Sequence, residues 1–333
     1  HYCLKKIFLL KISGLKIFMT MLPDSKNKIH YSWIIAFSGT AVLFACLGLG
    51  RFSLGMLLPS MGKTLELSYS QMGLISTGNF TGYMISVFLA GIISAAIGAR
   101  RTIFAGLTLV GLSMLAISWA SAFWPVLLLY FLTGMGSGFA NIPMMGLVSH
   151  WFLKDMRGRA AGIMLCGNGL AIVFTGILIP FINRQIGSTG WRTGWLIIGL
   201  ASLFIAVSAL LTLRNHPNEK NVEPLGKAVD PPKPSGKSAG DESNGSTMVH
   251  LGCIYAFFGA TYVVYATFIV TAMINQRGFG GGTAGTFWAI VGALSLVSGP
   301  FFGGLSYRAG RKKGIILVYT LFTAAYILAA LES

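Results

Sequence analysis

The chain has 333 residues, of which 54% are hydrophobic and only 10% are charged, whereas about 25% are charged in a typical soluble domain. The net charge is +16, but the basic residues cluster between long apolar runs, as they do in membrane proteins that fix their orientation with loop charges. Composition therefore excludes an ordinary soluble domain and predicts an all-α membrane protein that spans the bilayer several times and has no nucleic-acid partner.

The first segment, residues 1–30, is basic and partly apolar and begins at His1 rather than at a methionine. It lacks the long apolar core and small-residue cleavage site of a signal peptide. We therefore predict that it is a cytoplasmic extension outside the fold.

Apolar runs then follow, each long enough to cross a bilayer as a helix. Six lie within residues 31–213, the predicted N-terminal half, at 32–58, 71–97, 102–121, 124–150, 159–183 and 191–213. Three more lie within residues 248–333, at 248–275, 283–306 and 314–331. The pattern predicts about nine transmembrane helices, the last three of which begin a second half.

Residues 214–247 separate the two groups of helices. Large apolar side chains are scarce here, and the segment contains Pro217, Pro224, Pro231, Pro232 and Pro234 among Lys, Glu, Gly and Ser. Such a segment cannot bury enough apolar surface to fold, which predicts a disordered linker.

The basic residues of the inter-helix segments favour one side of the membrane. The alternate segments, on the side away from the N-terminus, contain only Lys63, Arg184, Arg192 and Arg277. By the positive-inside rule the N-terminus is predicted to be cytoplasmic, in the inner (plasma) membrane.

Two helix ends carry the same pattern. Gly91 and Gly98 precede Arg100 and Arg101, and Gly303 and Gly310 precede Arg311 and Lys312. Both pairs of glycines are seven residues apart, which indicates a parallel repeat of two six-helix halves. We predict that these residues form gating loops and that three helices of the second half lie beyond the sequence.

Several motifs resemble the major facilitator superfamily, and within it the YbfB/YjiJ-like branch. They are the glycine-rich segment 48–59 around Arg51, the segments 79–83, 138–141 and 167–169, and the basic segment 157–162. The resemblance implies a 6+6 helical fold that transports solutes by alternating access, and we expect a monomer. The sequence departs from the family at Ala95 and Tyr307, where a loop Asp is usual, and at Tyr130, where proton-coupled members carry an Arg.

Arg51 is the strongest candidate for substrate contact. All nine acidic residues fall in predicted loops or termini, so a proton relay built on Asp or Glu is not expected in these helices. A guanidinium inside the first span suits an anionic group of the substrate. The alternative is that Arg51 reaches the outer interface or braces neighbouring helix ends.

The other candidates for substrate binding are polar residues in apolar runs. Asn79, Asn141 and Asn168 could orient a substrate or could hydrogen-bond helix to helix. Tyr255, Tyr262 and Tyr265 share one helical face, and Tyr83 is a weaker candidate of the same kind. No paired acids, metal-ligand cluster or activated nucleophile is present, so we predict no enzyme activity, cofactor or metal.

The sequence thus predicts a secondary or facilitative transporter of a small solute, preferably an organic anion. Two alternatives remain, an exporter of amphipathic or cationic drug-like compounds and a membrane sensor that does not transport.

Overall fold

The computed structural model describes residues 30–226 and 245–331, which form nine long helices and contain no β-strand. The helices are α1 Tyr31–Thr64, α2 Tyr69–Ile97, α3 Ala99–Ile117, α4 Phe123–Trp151, α5 Lys154–Ile186, α6 Gly190–Thr212, α7 Gly245–Asn275, α8 Gly281–Ala309 and α9 Arg311–Leu331. The all-α fold is as predicted. The predicted extension 1–30 falls almost entirely outside the described residues.

Among the residues that the structure describes, seven helical segments are long and apolar enough to cross a membrane. One of them, Lys154–Thr212, contains both α5 and α6, which a short 3-10 turn joins. Large apolar side chains such as Phe88 and Phe204 are about three-quarters exposed on these helices, as side chains that face lipid would be. The chain is a multi-pass membrane protein.

The first helix is longer than the sequence predicts. The expected span ended at residue 58, before Pro59, but α1 continues through Pro59 to Thr64. A proline removes one backbone donor and kinks a helix, yet neighbouring helices in a membrane bundle tolerate it. The consequence is that Arg51 lies farther from the end of α1 than predicted, about 20 Å at the helical rise per residue.

Helices α4 and α5 are separated only by Phe152 and Leu153, so the segment predicted as a basic loop is largely helical. Asp155 lies in the first turn of α5, and Arg157 follows in the second. Asp155 is therefore not a loop residue, but its place at a helix N-terminus is one that the helix dipole favours for a carboxylate. We call the bundle end that carries Arg100, Asp155, Arg157 and Arg214 the basic end.

The first residues of the predicted linker, 214–226, contact the basic end, whereas the linker as a whole, 214–247, stays a prediction. The indole Nε1 of Trp151 donates to the carbonyl of Arg214 (3.0 Å). Backbone hydrogen bonds join Leu225 to Trp151 (3.0 Å) and Leu153 to Leu225 (2.9 Å). Pro217 is buried, and Leu225 packs on the core. Local prolines do not prevent docking here because helix ends supply backbone partners; residues 227–244 lie outside the described part.

The chain divides into two compact units, one of residues 29–293 and one that contains the chain from Leu294 onward. In the first unit, buried residues form two clusters, one around Leu57, Trp191 and Trp195 and one around Trp33 and Trp151. In the second unit, Gly310 lies between the end of α8 and the start of α9. The domain boundaries of the sequence analysis stay predictions.

Candidate functional site

Arg51 lies in an irregular part of α1. Residues Phe44–Phe52 form a π-helix between two α-helical parts, Tyr31–Leu43 and Ser53–Thr64. π-Helical turns are rare and occur frequently at functional sites, because the wider turn re-aims the side chains that follow. The π-helix therefore determines the direction in which the Arg51 side chain leaves α1.

Side chains of α2 and α4 donate hydrogen bonds to carbonyls of this π-helix. Ser137 Oγ donates to Cys46 (2.6 Å), Asn79 Nδ2 to Gly50 (3.3 Å) and Tyr130 Oη to Arg51 (3.1 Å). A change from α to π spacing disturbs the regular ladder of backbone bonds, and side-chain donors can insert at such a point. These three contacts hold the part of α1 that carries Arg51.

Aromatic rings of α2 surround the Arg51 guanidinium. Its central carbon lies 4.3 Å from the centroid of the Phe80 ring and 4.7 Å from that of Tyr83, within the range of cation–π attraction. Asn141 Nδ2 of α4 donates to the hydroxyl of Tyr83 (2.7 Å), so a second helix fixes this ring. The sequence analysis did not single out Phe80.

The hydrogen-bonding capacity of the site is not used up. Nε and Nη2 of Arg51 are buried and have no hydrogen-bond partner, and neither do the amide oxygens of Asn79 and Asn141. Buried polar groups without partners are uncommon in native proteins and call for an explanation. This arrangement can bind an anion through the guanidinium and a hydroxyl or amine through the amide oxygens.

The space beside Arg51 is nearly closed in this structure. A cavity of about 10 Å³ is lined by Arg51, Ser76, Asn79, Tyr130 and Thr267, among others, which is room for about one water molecule. Ser76 of α2 and Thr267 of α7 share a hydrogen bond (2.8 Å). Helix α7 thus forms part of the cavity wall, and a sugar-sized ligand does not fit in this conformation.

The structure brings only some of the predicted substrate-binding residues together. Asn79 and Tyr83 lie at Arg51, and Asn141 reaches them through the Tyr83 hydroxyl. Asn168 does not line the Arg51 cavity, although its amide oxygen is also buried without a partner. Ser76 and Thr267, which the sequence analysis missed, do line it; serine and threonine are common in membrane helices and give no signal of their own.

The three tyrosines of α7 do not form one cavity wall. Tyr262 packs edge-on against Phe52, the neighbour of Arg51, with centroids 6.1 Å apart. Tyr255 is 76% exposed, and Tyr265 is half-buried. Seven residues make almost two helical turns, so Tyr255 shares the face of Tyr262 but lies beyond the helices that cover it.

The predicted gating residues have unequal roles in the structure. Gly98 has φ +87° between α2 and α3, and Gly310 has φ +92° between α8 and α9, so both occupy a conformation that suits glycine. The backbone of Arg100 donates to Asn215 Oδ1 (2.9 Å), and its Nε donates to the carbonyl of Leu210 (2.6 Å). Arg101 and Lys312 are exposed, and a Cβ on Gly91 would meet open space. The surroundings of Gly303 and Arg311 lie outside the described side chains.

In the described ranges, no group of three or more His, Cys, Asp or Glu residues could hold a metal ion. The acidic residues described there, Glu66, Asp155, Glu219 and Glu223, lie at helix ends or between helices. Arg51 therefore has no acidic partner within the described part of the helices.

Comparisons with known proteins agree on one family. The sequence profile of the Major Facilitator Superfamily matches residues 40–333. The chain is 26% identical to the hexuronate transporter of Bacillus subtilis over 292 residues, which are 84% of this chain and 68% of that protein. It is 26% identical to the membrane sensor protein UhpC of Salmonella typhimurium over 48% of this chain and 36% of that protein. A probable hexose phosphate transport protein of Chlamydia pneumoniae is 25% identical over 65% of this chain and 48% of that protein.

Solved structures give the same fold. A bacterial homologue of the human lysosomal transporter Spinster, in an inward-facing and unoccupied conformation, superposes with a TM-score of 0.65 at 17% identity. The match covers 86% of this chain and 64% of that protein. A D-xylose–proton symporter superposes with a TM-score of 0.61 at 15% identity, over 85% of this chain and 70% of that one.

Proposed function

The chain belongs to the major facilitator superfamily, and on that basis we propose that it carries a small organic anion across the membrane by alternating access. In this proposal Arg51 binds the anionic group, and Asn79, Tyr83 and Asn141 position the rest of the solute. The proposal places a monomer in the inner (plasma) membrane with its N-terminus in the cytoplasm. The likeness to the YbfB/YjiJ-like branch stays a prediction.

One observation carries the proposal: the Arg51 guanidinium has two buried nitrogens without partners. A buried cation is costly unless it is paired, and the described helices offer no carboxylate to pair with it. Two aromatic rings offset part of this cost but accept no strong hydrogen bond. A carboxylate or phosphate of a bound solute could accept two parallel hydrogen bonds from the guanidinium.

The distance of Arg51 from the end of α1 argues against the alternative that it reaches the outer interface. Thirteen residues of α1 separate it from Thr64, a distance of about 20 Å. An extended arginine side chain is much shorter than this distance, so its charge does not reach the end of α1. Its packing between Phe80 and Tyr83 also directs it toward α2 rather than along α1.

The names of the relatives are consistent with an anionic substrate. A hexuronate carries a carboxylate and a hexose phosphate carries a phosphate, and both classes appear among the transporters that this chain resembles. Each also carries several hydroxyls, which could donate hydrogen bonds to the unpartnered amide oxygens of Asn79 and Asn141. Export of cationic compounds fits less well, because Arg51 would repel a cation in a site of low dielectric.

A second function has some support, since UhpC of Salmonella typhimurium is a membrane sensor protein. A sensor would bind the anion at the same residues but would not carry it through. The place of α7 in the cavity wall at Arg51 is compatible with either function, so flux has to be measured.

The test is counterflow in proteoliposomes that contain the full-length protein. Vesicles are preloaded in turn with glucuronate, glucose 6-phosphate, glucose or tetraphenylphosphonium, and uptake of the same labelled compound is followed. We expect counterflow of one or both anions and none of the cation. Counterflow of tetraphenylphosphonium alone would overturn the anion proposal, whereas anion binding without any counterflow would favour the sensor.

A further inference from the structure

A second and larger cavity lies at the end of the bundle opposite to the basic end. It has a volume of about 510 Å³, and its wall is built from the ends of α1, α5 and α7 and the start of α8. The polar side chains that line it include Lys63, Asn183, Arg184 and Asn275, and Gly281 and Gly282 contribute backbone.

The cavity is positively charged. Lys63 and Arg184 come from different helices, and neither makes a hydrogen bond or ion pair with another described residue. No Asp or Glu lines the wall. The Nη2 atom of Arg184 lies 3.4 Å from where a Cβ of Gly282 would be, so its guanidinium stands beside the first turn of α8, where the helix dipole adds positive potential.

We propose that this cavity is a second anion site, which binds the carboxylate or phosphate of the solute before the solute reaches Arg51. The identity of the solute rests on the proposed function, whereas the presence of an anion site does not. Lys63 and Arg184 bind the anionic group from two sides, and Asn183 and Asn275 are close enough to contact its hydroxyls.

The volumes of the two cavities indicate the order in which an anion would occupy them. The outer cavity has a volume typical of small-molecule sites, while the cavity at Arg51 has room for about one water molecule. Lys63 is twelve residues after Arg51 on α1, which is about 18 Å along the helix. In this conformation an anion can therefore occupy the outer site alone, and two cations there raise its local concentration before the inner site opens.

The test uses a thiol placed in the wall of the outer cavity. Ser60 lines the cavity, and Ser60→Cys is made in the full-length protein with every cysteine except Cys46 replaced by Ser; Cys46 is fully buried and is kept. The rate of reaction with a maleimide is measured in phosphatidylcholine nanodiscs with inorganic phosphate, glucuronate or glucose. We expect phosphate and glucuronate to slow the reaction and glucose to leave it unchanged.

Matched variants identify the residues responsible. In Lys63→Gln and Arg184→Gln, the phosphate concentration that halves the rate should rise about tenfold each, because a charge-assisted hydrogen bond is lost. Arg51→Gln should leave this protection unchanged, so the outer site can be judged even if anion transport fails. The proposal would be overturned if neither phosphate nor glucuronate slows the maleimide reaction. It would also be overturned if Lys63→Gln and Arg184→Gln are both protected at the same phosphate concentration as the parent. A second arm uses nanodiscs that contain phosphatidylglycerol: slowing there without added anion, together with no effect of phosphate or glucuronate in phosphatidylcholine, would mean that the ligand is a lipid headgroup and would also overturn the proposal.

Discussion

Arg51 and Arg192 both stack on aromatic rings, and they differ in how their donors are used. The guanidinium of Arg192 lies 4.4 Å from the ring of Trp191, and its Nη1 donates to the carbonyl of Ser118 (2.8 Å). Arg51 stacks on Phe80 and Tyr83 but has two buried nitrogens without a partner. Arg192 thus has a structural contact that uses its charge, whereas Arg51 has capacity left for a ligand.

This difference predicts the outcome of conservative substitutions. Arg51→Lys should reduce anion counterflow about tenfold or more, because a lysine ammonium cannot form two parallel bonds to a carboxylate. Arg192→Lys, the matched control, should keep counterflow within about twofold, since it removes one bond at the surface of the bundle. Counterflow and the amount of folded protein are measured for both. Equal counterflow in Arg51→Lys and the parent would contradict substrate binding by Arg51.

The sequence offered Arg51, Asn79, Tyr83 and Asn141 as candidates because polar residues stand out in apolar runs; the structure places them near one another, and their binding of substrate stays a prediction. It could not identify Phe80, since aromatic residues are abundant in membrane helices and only the position of Arg51 gives this ring a role. It could not show that Tyr255 is largely exposed, because spacing shows which residues share a helix face but not how far the neighbouring helices cover that face. Residue type therefore indicated candidate site residues, whereas the exposure of each side chain depended on how the helices pack.

Among the helices, α1 shows that the hydrophobic pattern of a sequence predicts a helix but not the irregular turns within it. Its apolar run predicts a helix, and the structure has one, but the π-helical part, Phe44–Phe52, has no counterpart in the hydrophobic pattern. Its geometry depends on Ser137, Asn79 and Tyr130 of other helices. Such a feature depends on side chains distant in sequence, so no local pattern could reveal it.

Helices α5 and α8 approach each other closely through glycines. A Cβ on Gly176 of α5 would lie 2.7 Å from the carbonyl oxygen of Gly285 and 2.8 Å from the backbone nitrogen of Ala289. Such distances are too short for real contacts, so the two backbones touch without side chains between them. Gly162, on the same helix, has open space where a Cβ would be.

Gly176→Ala should therefore destabilise the protein by about 1–3 kcal/mol, as overpacking does, because α5 and α8 must move apart. Gly162→Ala should be neutral or stabilising by up to about 1 kcal/mol, since alanine favours a helix. The midpoint of thermal unfolding in detergent tests the pair. A midpoint that falls equally in both variants would show that helix contact at Gly176 is not the cause.

For the whole molecule, the sequence predicted about nine transmembrane helices; the described residues form nine long helices, eight of which lie in the segments long and apolar enough to cross a membrane. The lengths of the hydrophobic runs predicted these helices well, because each segment that crosses lipid has to form a complete helix. The ends were less accurate, as at Thr64 and at Lys154, where tertiary contacts extend a helix past a proline or a basic stretch. The chain spans 68% of the Bacillus subtilis relative and 36% of the Salmonella typhimurium one, so the activity of the whole protein stays a proposal.

The orientation of the molecule is a prediction from its basic residues. With Cys3, Cys166 and Cys253 replaced by Ser, Arg101→Cys would place a thiol at the basic end and Ser121→Cys at the opposite end; both positions are exposed. In intact cells a membrane-impermeant maleimide should label Ser121→Cys and should label Arg101→Cys only after lysis. The reverse pattern would place the N-terminus outside.

The π-helix of α1 also has a consequence for how the protein is made. The ribosome completes α1 before it has added Asn79, Tyr130 and Ser137, whose side chains donate to the carbonyls of Cys46, Gly50 and Arg51. Until α2 and α4 enter the bilayer, a regular α-helix is the better-satisfied state for α1. We therefore expect Arg51 to take up its final direction only after the fourth helix has been inserted, so that the binding site matures later than the helix that bears it.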